Sequence, residues 1–275
     1  MPESIEYIIQ PKSRYPFNWD ELWRYRELFY FFTWRDIKIK YKQTILGFFW
    51  AILQPVLMML ILTLFFGRAM ENPSLEISYT VYVFTGILIW NIFSSGLTNA
   101  ANSMVSNGPI IKKIYFPRLI MPVSAILVAL FDFMVSFIVF IPILLYYRQP
   151  VTWVALWSWP ASICVSMIAS LGLGCWLAAL NVKYRDFRYV IPFLVQVLFF
   201  LTPVIYPASL LKDPLLQYIL AVSPLYAAVE LFRLPMMGSI YSMSLMMISL
   251  CSGLVLLLIG IIYFKATEDF FADFA

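Results

Sequence analysis

Four bases crowd together just before the first long apolar run, in Trp34-Arg35-Asp36-Ile37-Lys38-Ile39-Lys40-Tyr41-Lys42. Guanidinium and ammonium groups at a membrane edge are natural partners for a phosphate or pyrophosphate headgroup. Arg35, Lys38, Lys40 and Lys42 are therefore candidate headgroup-binding residues, and equally candidate determinants of topology. Asp132, in ALFDFMVSF, is the one ionisable side chain well inside an apolar stretch. Intramembrane carboxylates are functional suspects; with no cation within one helical turn, its partner is expected from another span. It serves either transport or hydrogen-bonded packing. The chain has no histidine, which removes the commonest metal ligand and the usual neutral-pH proton shuttle. Cys164, Cys175 and Cys251 sit in apolar segments and read as packing residues. No Gly-Lys dipeptide occurs, so there is no phosphate loop. The expectation is no catalytic residue, no metal and no cofactor bound by this chain.

These side chains must be positioned by membrane helices. Of 275 residues, 62% are hydrophobic and 12% charged, too little polar surface to cover a water-soluble globule. Charge is absent from 43–67, 77–111, 149–182, 189–211 and 234–264, and about 20 apolar residues cross a bilayer. The fold class is all-α polytopic membrane protein, with spans predicted at 44–67, 79–101, 118–147, 153–180, 189–205 and 243–264. All Lys and Arg except Arg68, Arg148, Lys212 and Arg233 then fall on one side, which places both termini in the cytoplasm. The first apolar run starts behind a long charged leader, so no cleavable signal is assigned.

The domain reading is a cytoplasmic segment 1–43, a six-span domain 44–264 and a cytoplasmic tail 265–275. Within the first, FNWDELWRYRELFYF reads as an amphipathic interface helix at 18–30. Asn18 and Glu21 form a capping box, Phe17 and Leu22 a staple, and Trp19, Leu22, Trp23, Arg26 and Tyr30 one face. The alternation of Ile37, Ile39 and Tyr41 with lysines reads as an interfacial connector between that helix and the first span. Pro55 is expected to kink the first span. Residues 206–238 are too apolar for a free loop and too broken by Pro207, Pro214, Pro224 and Pro235 for a span, so a re-entrant helical hairpin is predicted. The connection 102–117 is long and patterned, with a Gly108-Pro109 turn and a basic-aromatic stretch, and suits docking of a cytoplasmic partner.

Three stretches, 34–67, NGPIIKKIYFPRLIMPVSAI (107–126) and NVKYRDFRYVIPFLVQVLFFLTPVIYP (181–207), resemble type-2 ABC exporter permeases of the O-antigen, capsule and teichoic acid branch. RDIKIKYKQTILGFFWAILQP looks closest to the lipopolysaccharide O-antigen permeases. The resemblance implies the type-2 exporter fold: an interface helix, six spans, a re-entrant pair before the last, and a homodimer around a channel. It also implies two copies of a separate ATPase, which binds the ATP and Mg. On this footing Asn107, Gly108, Pro109, Ile110, Lys112, Lys113, Tyr115 and Phe116 belong to the ATPase-coupling helix, and Trp19, Leu22, Trp23 and Arg26 to the interface helix. The implied activity is movement of an undecaprenyl-diphosphate-linked polysaccharide from cytoplasm to periplasm across the bacterial inner membrane, with membrane lipid and glycan as partners and no nucleic acid.

Spans one and five line the channel in this family. Phe48, Phe49, Trp50, Phe65, Phe66, Phe193, Phe199, Phe200 and Tyr206 are thus candidate channel-lining rings, since a ring face offers a sugar's C–H surface a weak, releasable contact. The alternatives are export of a small lipid or drug, or of a capsule or teichoic acid polymer. A membrane transferase is disfavoured by the absence of acidic metal-binding clusters, and a secondary carrier by the single intramembrane acid.

Overall fold

The computed structural model describes residues 19–42, 47–70, 77–184, 186–211, 213–238, 242–268 and 271. The helices are α1 (Trp19–Arg24), α2 (Arg26–Lys42), α3 (Gly47–Met70), α4 (Tyr79–Ser106), α5 (Gly108–Ile111), α6 (Ile120–Tyr146), α7 (Ala155–Lys183), α8 (Phe187–Leu201), α9 (Pro214–Val222), α10 (Pro224–Met237) and α11 (Met243–Ala266). No β-strand occurs among the described residues. An apolar run in lipid has no water to satisfy its backbone, so it closes its hydrogen bonds within one helix. α3, α4, α6, α7 and α11 each have the length and composition to cross a bilayer.

α8 departs from the expected full span. Its 15 residues reach roughly 22 Å at the α-helical rise, short of the ~30 Å hydrocarbon core. It stops at Thr202-Pro203, where proline removes a backbone donor. The re-entrant pair is present as α9 and α10, bent by 94° at Ser223-Pro224. Asp213 caps α9 through Leu215 N–H (2.9 Å), and Gly238, at φ 71°, closes α10 in a left-handed conformation that suits glycine.

α4 is the central helix, packing against α3, α6, α7, α8 and α10. The bundle interior depends on close backbone approach, the usual means of association where lipid removes the hydrophobic drive. Where α7 meets α11, a Cβ built on Gly260 would stand 1.9 Å from the Gly172 carbonyl oxygen. α10 is held by side chains that reach its carbonyls: Ser162 Oγ donates to Ala228 (2.5 Å), Trp159 Nε1 to Phe232 (3.0 Å) and Thr152 Oγ1 to Pro235 (3.0 Å). The three cysteines are unpaired.

The N-terminal segment corrects the sequence reading in two respects. Phe17 and Asn18 lie outside the described residues, so the staple and cap do too. Helix does not stop near 30: after a turn at Tyr25 it runs on as α2 to Lys42. The expected connector of alternating Ile and Lys is helical and lies along α6, where a helix closes its own backbone hydrogen bonds at the membrane edge. The buried face differs as well. Leu22, Tyr25, Leu28, Phe29 and Phe32 recur every three or four residues and pack into one cluster with Met104, Ile111, Phe116, Phe264 and Phe271. Trp23, Tyr30, Phe31 and Trp34 are exposed on the outer side, as suits rings in the headgroup zone.

Candidate functional site

The first part of the site is the connection between α4 and α6. Asn107 ends α4, and Gly108–Ile111 form one further turn with Pro109 at its start, where a missing N–H costs nothing. Phe116 is driven inward, its ring 5.6 Å from that of Phe32, and Gly108 and Ile111 are buried beside it. Arg35 Nη2 donates to Asn107 Oδ1 (2.7 Å), its Nε donates to Asp36 Oδ1 (2.8 Å), and its guanidinium covers the Phe32 ring. Arg118 donates to the backbone carbonyl of Glu268, which draws the C-terminal segment to the same place.

What remains outside is a compact exposed set: Pro109, Lys112, Lys113, Ile114 and Tyr115, with Ile110 half-buried. Tyr115 keeps 77% of its surface exposed and donates weakly to Glu21 Oε1 (3.5 Å). Burial and the nearby Glu21 carboxylate push its phenol above the ordinary tyrosine value. A buried aromatic anchor therefore carries an exposed basic-aromatic knuckle.

The second part lies further along α6. Lys40 Nζ donates to Asp132 Oδ2 (2.5 Å) and Tyr41 OH to Oδ1 (2.5 Å). The partner of Asp132 thus comes from the N-terminal helix, not from another span as its sequence surroundings suggested. Burial, then the Asp132 carboxylate, hold the Tyr41 phenol well above its usual value. One turn on, the Ser136 hydroxyl lies 3.1 Å from both the Ala51 carbonyl of α3 and the Asp132 carbonyl of its own helix, and shares its proton between them. Ala51 is four residues before Pro55, whose ring nitrogen cannot donate to it. Ser136 supplies that missing donor, and α3 runs through Pro55 without interruption. Two adjacent turns of α6 therefore seat both the end of α2 and the start of α3.

A family model, described as ABC-2 type transporter, matches residues 27–237, from the start of α2 to the end of α10. The chain belongs to that family. Among curated proteins, it is similar to the O-antigen export system permease protein RfbA of Klebsiella pneumoniae, 27% identical over 87% of this chain and 91% of the relative. The RfbA of Myxococcus xanthus is 29% identical over 78% of this chain and 81% of the relative. The polysialic acid transport protein KpsM of Escherichia coli is 26% identical over 86% and 91%.

In this ABC-2 permease the remaining predicted residues do not all come together. Of the four bases, Arg35 and Lys40 are engaged inside the chain, while Lys38, over the Trp34 ring at 5.3 Å, and Lys42 are exposed. Leu22 of α1 packs inward, Trp23 of α1 and Arg26 of α2 are exposed with the guanidinium 5.0 Å from the indole, and of Trp19 only the backbone is described. Phe48, Phe49, Trp50, Phe65 and Phe66 on α3 and Phe193 and Phe200 on α8 are exposed on the protomer. Tyr206 is half-buried and donates to the Phe200 carbonyl (2.9 Å). Phe199 must be corrected: it is 9% exposed, edge-on to Trp90 at 5.2 Å, and has no free face for a channel.

One residue escaped the sequence reading. Arg233, counted on the outer side as part of the predicted hairpin, is fully buried in α10. Its guanidinium donates to the carbonyls of Pro203 (2.8 Å), Tyr82 (3.0 Å) and Val204 (3.2 Å) and to Thr85 Oγ1 (3.2 Å). It also lies 3.5 Å from the centroid of the Tyr82 ring. This fork ties the re-entrant helix to α4 and to the turn that ends α8. The signal available was Glu230 and Arg233, one turn apart in an otherwise apolar helix that had no reason to carry charge.

Proposed function

We propose that this chain is the membrane-spanning permease subunit of an ATP-driven exporter that moves a lipid-linked polysaccharide of O-antigen type across the bacterial inner membrane, from cytoplasm to periplasm. The observation that carries the reading is similarity along most of the chain to permeases of two different long glycans, O-antigen and polysialic acid. A capsular polymer is the second substrate reading, favoured by the KpsM similarity.

In this reading both termini are cytoplasmic, two copies of the chain enclose the channel, and two ATPase subunits hold ATP and Mg. The knuckle Pro109–Tyr115 enters the ATPase, with Phe116 anchoring it to α2. Exposed Lys38 and Lys42 meet the undecaprenyl diphosphate, and exposed rings of α3 and α8 offer sliding contacts to sugar. The exposure of two lysines and two rows of rings on the protomer supports these roles. The chain itself performs no hydrolysis.

The experiment is co-expression with the neighbouring ATPase, purification of the complex, and measurement of ATP hydrolysis together with glycan export. A stable complex that exports glycan is expected. A chain that assembles with no ATPase overturns the reading.

A further inference from the structure

α2 is gripped at two places. Near its middle, Phe32 packs on Phe116 and Arg35 holds Asn107, which binds α2 to the exposed knuckle. Roughly 12 Å further along, eight residues at the helical rise, Lys40 and Tyr41 hold Asp132. Only four residues then separate Lys42 from Gly47, the start of α3, whose Ala51 carbonyl takes its hydrogen bond from Ser136.

A carboxylate on a membrane helix is costly, and an apolar residue at 132 could pack α2 against α6 without that cost. What the carboxylate adds is register. Two short charge-assisted or charge-accepting bonds, to adjacent residues of α2, set both the height and the rotation of α2 on α6. An apolar contact would allow sliding.

We propose that Asp132 is a positioning residue for energy coupling: held by Lys40 and Tyr41, it fixes the C-terminal end of α2 to α6, so that movement of the knuckle reaches α3 as one rigid displacement. The inference rests on the exporter reading above. α2 is then the rod, the Asn107–Phe116 contacts its driven end and Asp132 its far bearing. Without the bearing, α2 shifts against α6 when the knuckle moves, and ATP is spent without opening a path.

The test uses the full exporter, with export of the cell's own lipid-linked polysaccharide read at the cell surface and ATP hydrolysis read on the purified permease–ATPase complex. Asp132→Asn is expected to assemble with the ATPase and hydrolyse ATP while export per ATP falls about tenfold, the scale of a broken two-residue coupling. The exchanged pair Lys40→Asp with Asp132→Lys is expected to recover most of the ratio. Should Asp132→Asn fail to accumulate, Tyr41→Phe, which removes one bond and keeps the ring, is expected to lower the ratio about threefold. An unchanged ratio in the accumulating variant, or a failed exchange with normal assembly, overturns the proposal. Those outcomes leave wild-type assembly and export intact, whereas failure of the exporter reading appears in the wild-type complex itself.

Discussion

Replacing Arg233 by Met is expected to release the turn after α8 from the rest of the bundle. Arg233 is fully buried and reaches four acceptors at 2.8–3.2 Å. Tyr82 and Thr85 keep partners without it, because the Thr85 hydroxyl donates to the Tyr82 carbonyl (2.7 Å). The carbonyls of Pro203 and Val204 lose the donor that reaches them from α10. An orphaned buried acceptor costs about 1–3 kcal/mol, and Met also removes the positive charge in whose field the buried Glu230 lies. The total is about 3–5 kcal/mol, the scale of breaking a buried charged network. At least 3 kcal/mol corresponds to roughly a hundredfold rise in the population of the opened turn. Val204 is fully buried, so Val204→Cys, in a chain whose three native cysteines are changed to Ala, reports on that opening through maleimide labelling. When reclosing outruns labelling, the rate follows the open population. About hundredfold faster labelling is expected with Arg233→Met. Gly86→Ala should act in the same direction, since its added Cβ would stand 2.8 Å from Arg233 Nη2 and 3.0 Å from Val204 Cα. A labelling rate within about threefold of the parent for Arg233→Met would refute the assignment of this guanidinium as the lock on the turn.

Ser136→Ala should cost about 1 kcal/mol by removing the shared donor of the Ala51 carbonyl. The cost should vanish in a Pro55→Ala background, where the new N–H bonds Ala51 within α3; thermal stability of the four proteins in detergent completes the cycle. Gly260→Ala should part α7 from α11 and lower stability by about 1–3 kcal/mol, read in the same assay. Tyr115→Ala should leave the permease stable while weakening ATPase capture about tenfold, as expected for an exposed aromatic in an interface. Phe116→Ala should instead destabilise the permease itself, because its ring is buried against Phe32.

How much of this was legible depends on whether a residue's neighbours are near in sequence. Charge-free stretches became α3, α4, α7 and α11, and a stretch with Asp132 as its one charge became α6, because an apolar run in lipid has one backbone solution. The four prolines of 206–238 marked the bent pair, with Pro214 and Pro224 each in the first turn of a helix and Gly238 at the end. The alternation between Ile37 and Lys42 reads as an interfacial connector because no neighbour near in sequence shows what holds it as helix. α6 offers a carboxylate to consecutive residues at the end of α2, and tertiary contact overrides the pattern. Phe199 and Phe200 are adjacent and chemically identical, yet one faces Trp90 and the other is exposed. Composition cannot separate them. Arg233 was counted among the outer-side charges of the predicted hairpin, and the carbonyls that receive its buried guanidinium are distant in sequence.

The polar contacts divide the protomer into a held body and less firmly attached helices. α4, α7 and α10 are joined by side chains that reach across to carbonyls: buried Arg233 and Ser162, half-buried Trp159, and buried Asn181, whose Nδ2 donates to Ala101 (3.0 Å). α3 by contrast buries Pro55, Met59 and Leu62 and leaves most of its other described side chains exposed or half-buried. α8 buries Ile191 and Phe199 alone. Elements with few buried contacts are those that open first and move at least cost. The polar attachments of these two helices are localised at their ends, α3 by Ser136 beside Asp132, α8 through Pro203 and Val204 on Arg233. Helices tied by polar contacts at one end and by apolar packing alone along the rest pivot more readily than they slide. On the proposal that the export path forms beside α3 and α8, the Asp132 and Arg233 clusters would be the two pivots. Variants at the first should change coupling, and variants at the second should change the resting tightness of the seal.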